Sequence, residues 1–174
     1  MPRVVVSPLS AVPKCIRLHA PSHLVTLLSP EYMIETPEGI HRERHLRLSI
    51  DDIVETSAGA SPPTERHVLH LLEFSRAWDA KAPILVHCWA GISRSMAAAF
   101  AILCDRLGAG SEDFVAQTIR AHAPHADPNR LIVRLADDML ARQGCMVRAV
   151  EAIGRGTLTA EGVPVLLPVS ASVT

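Results

Sequence analysis

No apolar run in the 174-residue sequence approaches the roughly 20 residues that a helix needs to cross a bilayer, so no membrane-spanning helix is expected. Charge of one sign is equally scarce. Seventeen basic and eighteen acidic side chains leave a formal net charge of −1, which gives no electrostatic footing for a nucleic-acid partner. The four cysteines, Cys15, Cys88, Cys104 and Cys145, are widely spaced, without a C-x-x-C pair or a histidine-matched ligand pattern. That excludes the usual zinc site and a disulfide scaffold, and points to a reducing cytoplasm. Residues 1–8 carry one basic side chain and only three consecutive valines, too short and strand-like for a secretory signal. There is no internal repeat. What remains is a chain with 48% hydrophobic residues, long enough to bury one domain's core.

Against that plain background residues 87–95 stand out: His87-Cys88-Trp89-Ala90-Gly91-Ile92-Ser93-Arg94-Ser95. The segment before it, Pro83-Ile84-Leu85-Val86-His87, reads as a buried strand, and Met96 to Leu103 reads as an alanine-rich packed helix. Cys88 therefore sits where a strand hands over to a helix N-terminus, where unpaired N–H groups and the helix dipole attract anions. A helix N-terminus and cationic neighbours also favour the thiolate, which makes Cys88 a candidate nucleophile. The short loop closing on Arg94 can wrap its amides, from Trp89, Ala90, Gly91, Ile92 and Ser93, around an oxyanion, and the guanidinium adds two parallel donors. Gly91 suits a tight cup that brings backbone close to a ligand. Ser95 can cap the helix or hydrogen-bond the sulfur, and His87 supports the loop from behind. Trp89 can stack on a phenyl ring or pack on a neighbouring loop.

At every fixed position this segment resembles H-C-x-x-G-x-x-R-[ST], the active-site motif of the cysteine-dependent protein-tyrosine phosphatase superfamily, in particular its dual-specificity-like branch and the small prokaryotic-type enzymes. The resemblance extends over roughly residues 22–142. It implies a general acid on a loop some thirty-odd residues before the cysteine. Here His45 to Ile50 alternates like a strand and runs into Asp51 and Asp52, thirty-seven and thirty-six residues before Cys88. The branch places one spacer between strand and acid, which makes Asp52 the choice and Asp51 the spacer; either residue read alone is also a turn or capping aspartate. Downstream, residues 119–131 resemble the family's Pro-Asn turn, with Asp127 capping a helix begun by Pro128. Asn129 then either braces the phosphate loop or caps locally. The loop departs from relatives that handle polyanionic inositol phosphates by lacking lysine, which argues against such substrates.

The remaining pattern alternates strands with helices. Val4–Val6 and residues 24–28 read as strands around a helical stretch 9–19 capped by Ser7 or Ser10, and 63–80 is an amphipathic helix with Pro63 near its start. Helices follow over 95–107, 111–122 and 129–142, with 147–153 extending the helical packing. The expected class is α/β, a central mostly parallel sheet flanked by helices, of phosphotyrosine-phosphatase type. Residues 1–154 are expected to form a single domain and 155–174 an extension, with 163–168 irregular. The polar stretch 38–45 reads as a solvated loop or as a pocket wall in which Arg42 or Arg44 steers an anionic peptide.

The resemblance implies hydrolysis of phosphate monoesters without metal or cofactor. Cys88, Arg94 and Asp52 would be catalytic, and the partner would be a phosphorylated protein or a small phosphate ester. Phosphotyrosine is the expected substrate. A nucleotide, sugar or inositol phosphatase and a phosphate-binding protein without turnover are the alternatives.

Overall fold

Val4, Val5 and Val6 form an unbroken apolar run, the pattern of a strand covered on both faces, and all three are buried in β1 (Arg3–Pro8). In the computed structural model, which describes residues 3–55 and 60–170, β1 joins β2 (His23–Leu28), β3 (His45–Ser49), β4 (Ile84–Cys88) and β5 (Val165–Pro168) in one sheet. The order is β3-β2-β4-β1-β5. The first four strands run parallel, and β5 pairs antiparallel with β1. The expected architecture, a mostly parallel sheet flanked by helices, is the one observed.

Side chains alternate across this sheet with the strand period of two. Val4, Val6, Val25, Leu27, Ile84, Val86 and Cys88 enter the larger core with α2 (Glu65–Ala77), α3 (Arg94–Leu107), α4 (Glu112–His122), α5 (Arg130–Met139) and α6 (Cys145–Ile153). Val5, Leu24 and Leu85 enter a smaller core with Val12 and Cys15 of α1 (Val12–His19). One consequence governs the site. Cys88 and His87, adjacent on β4, leave opposite faces of the sheet.

Every residue of α3 from Arg94 to Cys104 is buried. Its four alanines at 97, 98, 99 and 101 let the helix lie close among its neighbours, and Phe100, Ile102 and Leu103 fill the larger gaps. Only Arg94 brings a charge into this buried run, which marks it as a residue kept for something other than packing.

Several expectations are corrected. Residues 163–168, expected to be irregular, include β5: Val165 and Leu167 point into the larger core, and Leu166 packs against the smaller one. Two prolines in a six-residue stretch hide this alternation, and an edge strand tolerates Pro168 because its outer side needs no donor. Residues 171–174 lie outside the described residues. The helix expected over 129–142 stops at Met139, and Gly144, at φ +84°, opens α6. The Asp137 carboxylate accepts from the amides of Gly144 at 2.6 Å and Met146 at 2.7 Å, so the second helix is capped by the first. Neither Ser7 nor Ser10 caps α1: Ser7 lies in β1, and Ser10 donates to the Glu161 carboxylate. Asp127 does not cap α5, because Asn129 takes that role.

Arg42 and Arg44 occupy a 3-10 turn before the start of β3, whereas Cys88 ends β4, which runs in the same sense. They therefore lie toward the opposite end of the sheet and form no wall of the cup. Arg44 instead sits close enough to His23 and Asp79 to perturb both.

Because Leu167 is fully buried, Leu167→Ala is expected to cost about 3 kcal/mol in urea unfolding. A change below about 0.5 kcal/mol, the level of an ordinary surface substitution, would return the segment to the status of a loose tail.

Candidate active site

The loop between β4 and α3 has its shape imposed from outside. The carbonyl of Trp89 accepts from Leu9 N at 3.1 Å, that of Ala90 from Gly162 N at 2.8 Å, and that of Ile92 from Asp127 N at 3.0 Å. The Ser93 carbonyl accepts from both Ala97 N (3.0 Å) and Asn129 N (3.2 Å). In a trans peptide the N–H points opposite to the C=O, so the amides of Ala90, Gly91, Ser93 and Arg94 turn toward the interior of the loop. Gly91 displays this directly, since its N–H donates to Cys88 Sγ at 3.3 Å.

Gly91 is irreplaceable for two reasons. Its φ is +70°, and a Cβ there would stand 2.6 Å from Pro8 N and 2.8 Å from the Ser7 carbonyl carbon, both backbone atoms that cannot yield. The end of β1 thus presses against the cup, as the register pairing of Pro8 with Cys88 requires.

Cys88 lies at the base and is only 2% exposed. Besides the Gly91 amide, its sulfur meets Ser95 Oγ at 3.1 Å. Ser95 sits in the first turn of α3 and serves the sulfur, not the helix cap. Arg94, also buried, donates from Nη1 to the Ile50 carbonyl at 2.8 Å, while its Nε has no hydrogen-bond partner among the described residues. Such a buried guanidinium N–H is costly unless something anionic completes it.

The two candidate acids separate cleanly. Asp51 turns away: its carboxylate accepts from Ser61 N at 2.7 Å, and its own amide donates back to the Ser61 carbonyl at 2.8 Å. Hydrogen bonds from the Ser29 side chain and the Ser61 amide hold its carboxyl below the usual carboxylate range. Asp52 faces the loop. Its Oδ1 accepts from Ser93 Oγ at 2.6 Å and from Asn129 Nδ2 at 2.9 Å, and its Oδ2 lies 4.0 Å from Arg94 Nε. A cleft of about 580 Å³ opens beside it, lined by Asp52, Ile53, Val54, Glu55, Ser93, Asp127 and Asn129.

Asn129 joins these parts. Its Nδ2 also donates to the Ile53 carbonyl at 3.1 Å, its Oδ1 accepts from Ile132 N at 3.0 Å to cap α5, and its backbone N–H holds Ser93. Asn129 thus touches both the loop and the start of α5. Trp89 stands on the rim, more than half exposed, with its ring centroid 5.0 Å from that of the equally exposed Tyr32. Nothing in the pattern around Tyr32 signalled this pairing, nor Gly162's hold on the Ala90 carbonyl.

Behind the cup His87 is fully buried, with Nε2 2.7 Å from Thr26 Oγ1 and Nδ1 3.3 Å from the Cys88 carbonyl oxygen. Burial pushes its pKa down to about 4. Burial likewise keeps the Cys104 thiol well above its ordinary range, which makes it a poor partner for oxidative trapping of Cys88. Among the described residues, no group of three or more His, Cys, Asp or Glu side chains is arranged to hold a metal ion, and no helix is long and apolar enough to cross a membrane.

Residues 57–124 match the family model described as protein-tyrosine phosphatase. No curated protein matches the sequence. Among solved structures, DUSP15 aligns with a TM-score of 0.60 at 21% identity, covering 90% of this chain and 96% of that one. PTPMT1 in complex with PI(5)P aligns at 0.58 and 17% identity, covering 83% and 90%. Human DUSP28 aligns at 0.57 and 19%, covering 82% and 93%. At such identities the structural likeness is one of fold.

The neutrality of His87 sets a stability limit in acid. The unfolded imidazole takes a proton near pH ~6.5, whereas the folded one resists until about 4. Between those values the unfolded chain binds more protons, so stability is complete above pH ~6.5 and falls as pH drops toward 4, by about 3 kcal/mol from this group. Urea midpoints between pH 7 and 4 should show the decline, and His87→Gln should reduce it; an unchanged acid limb in that variant would contradict the assignment.

Proposed function

We propose that this chain, a protein-tyrosine-phosphatase-like hydrolase with the dual-specificity fold, cleaves protein phosphotyrosine through a cysteinyl-phosphate intermediate. The observation that carries the reading is the thiol of Cys88 at the base of a ring of inward amides, beside a buried arginine whose Nε has no hydrogen-bond partner among the described residues.

In this mechanism the Cys88 thiolate attacks phosphorus in line, forming S–P as the P–O bond to the leaving group breaks. The loop amides and Arg94 hold the equatorial oxygens, and because the donors are fixed beforehand they need not reorganise as charge builds. Arg94 is preorganised for this by its Nη1 bond to Ile50, which leaves Nε aimed elsewhere. Asp52 gives its proton to the departing oxygen. Its Oδ1 is already engaged by Ser93 and Asn129, so Oδ2 is the oxygen that carries the proton. In the second step Asp52 takes a proton from water, which attacks phosphorus and releases the thiolate; the Ser95 hydroxyl hydrogen-bonds the sulfur as it leaves.

Depth supports a phenolic ester. A cysteine that is only 2% exposed is reached more readily by a phosphate carried on a flat ring than by one on a short side chain. Trp89 and Tyr32 offer an aromatic wall at the rim on which that ring or its neighbour can lie. The loop positions 89, 90 and 92 hold Trp, Ala and Ile, leaving Arg94 as its one cation, which suits a single phosphate better than a cluster. A nucleophilic thiolate also requires a reducing compartment, consistent with a cytoplasmic setting.

Hydrolysis of p-nitrophenyl phosphate should fall by on the order of 10³-fold or more in Cys88→Ser. Asp52→Ala should lower kcat by ~10²–10⁴-fold and remove the alkaline limb, whereas Asp51→Ala should mainly lower stability. A serine variant as active as wild type would defeat the covalent route; loss of the alkaline limb in Asp51→Ala alone would transfer the acid's role. In a matched panel, phosphotyrosine peptides should be preferred over phosphoserine peptides and phosphoinositides, and the reverse order would replace the substrate assignment.

A further inference from the structure

Four contacts run in series across the sheet face opposite to α3. Thr36 Oγ1 lies 3.0 Å from His45 Nδ1, His45 Nε2 lies 2.8 Å from Thr26 Oγ1, Thr26 Oγ1 lies 2.7 Å from His87 Nε2, and His87 Nδ1 lies 3.3 Å from the Cys88 carbonyl oxygen. The direction of each hydrogen bond follows by elimination. A carbonyl only accepts, so His87 Nδ1 bears the hydrogen. A neutral imidazole has a single N–H, so His87 Nε2 accepts from the Thr26 hydroxyl. Thr26 has then used its one hydrogen, and its oxygen must accept from His45 Nε2–H. His45 Nδ1 is left as an acceptor for the Thr36 hydroxyl. One arrangement of hydrogens completes all four bonds.

Both rings are neutral, as the elimination requires: burial lowers each to about 4, with the Arg47 charge adding to the effect at His45. Register makes the arrangement possible. Thr26 on β2 pairs with His87 of β4 on one side and with Arg47 of β3 on the other, and His45 lies two residues before Arg47, on the same face.

We propose that His45 is a positioning residue for the nucleophile's loop, fixing through Thr26 the tautomer and orientation of His87 and, through His87, the Cys88 carbonyl. The Cys88–Trp89 peptide is where strand becomes cup. Because that peptide is planar, holding its carbonyl also holds the first N–H of the loop. A His87 with the other tautomer would turn a lone pair toward the carbonyl and release it. His45 reaches the nucleophile from two strands away without touching the cup. Its consequence for turnover rests on the phosphatase reading, whereas the hydrogen arrangement does not.

Imidazole nitrogen NMR of the wild-type chain at pH 7 tests the arrangement directly. The expected result is hydrogen on Nδ1 of His87 and on Nε2 of His45; hydrogen on the other nitrogen of either ring overturns the proposal even if no variant folds. Thr26→Val should give mixed His87 tautomers and an about 10-fold lower kcat toward p-nitrophenyl phosphate, and Thr26→Ser should restore both to within about 2-fold. His45→Leu should reproduce the Thr26→Val loss, and the double variant should be no worse than either single one, as members of one series require. Unchanged His87 tautomer and kcat in His45→Leu would overturn the proposal. If the wild-type chain fails to hydrolyse the aryl phosphate, the phosphatase reading falls, and the tautomer measurement still decides the hydrogen arrangement.

Discussion

Four carbonyl groups of the loop between Cys88 and Arg94 are each accepting a hydrogen bond from a backbone amide, and three of the four do so wholly from other parts of the chain. Only because those oxygens are occupied do the intervening N–H groups converge. An isolated loop of this length would satisfy its own polar groups by turning some of them into a β-turn, and its amides would then point in several directions. Leu9 after β1, Gly162 before β5, Asp127 before α5 and Asn129 at its cap supply the constraints. The cup is therefore a property of the assembled fold, and its formation waits on contacts that span from 35 to 80 residues of sequence.

The same contacts let the core pack against a buried charge. Arg94 lies in a helix that buries every residue of its first three turns, an expensive place for a guanidinium in the absence of an anion. The Ile50 carbonyl and the nearby Asp52 carboxylate relieve part of that cost. Asp52 is in turn held by Ser93 and Asn129, so the charge on the arginine, the cup and the start of α5 form one group joined by hydrogen bonds and the Asp52–Arg94 ion pair. Loss of any member loosens the others, which is why substitutions here are expected to be non-additive.

The nine residues from His87 to Ser95 were legible because strand, cysteine, glycine, arginine and helix start follow one another without interruption, and local sequence determines local structure there. The parallel sheet was readable for a similar reason, since runs such as Val4–Val6 and Ile84–Val86 are apolar on both faces. What escaped is non-local or disguised. Strand β5 is four residues long and ends in proline, so its alternation is too brief to distinguish from a loop until β1 supplies a partner. The cap of α5 fell on Asn129 and not on Asp127, because the Asp127 amide is committed to Ile92 and the helix begins only after the chain has passed the cup. Asp51 and Asp52 are chemically alike and adjacent, and at the bend after β3 their side chains find different partners. Only the placement of Ser61 on one side and Ser93 on the other separates them.

In β4, strand alternation divides the last two residues. Cys88 turns toward α3, where apolar packing and helix N-terminal amides exclude water from the sulfur, and His87 turns toward Thr26, where polar partners are available. A strand offers no way to put both on one side, so the link between histidine and cysteine runs through the backbone they share. The carbonyl of Cys88 belongs to the cysteine and faces the histidine. The polar file on the far face of the sheet therefore reaches the first peptide of the loop without any side chain crossing the sheet, and β2 and β3 touch that peptide from behind through Thr26 and His45.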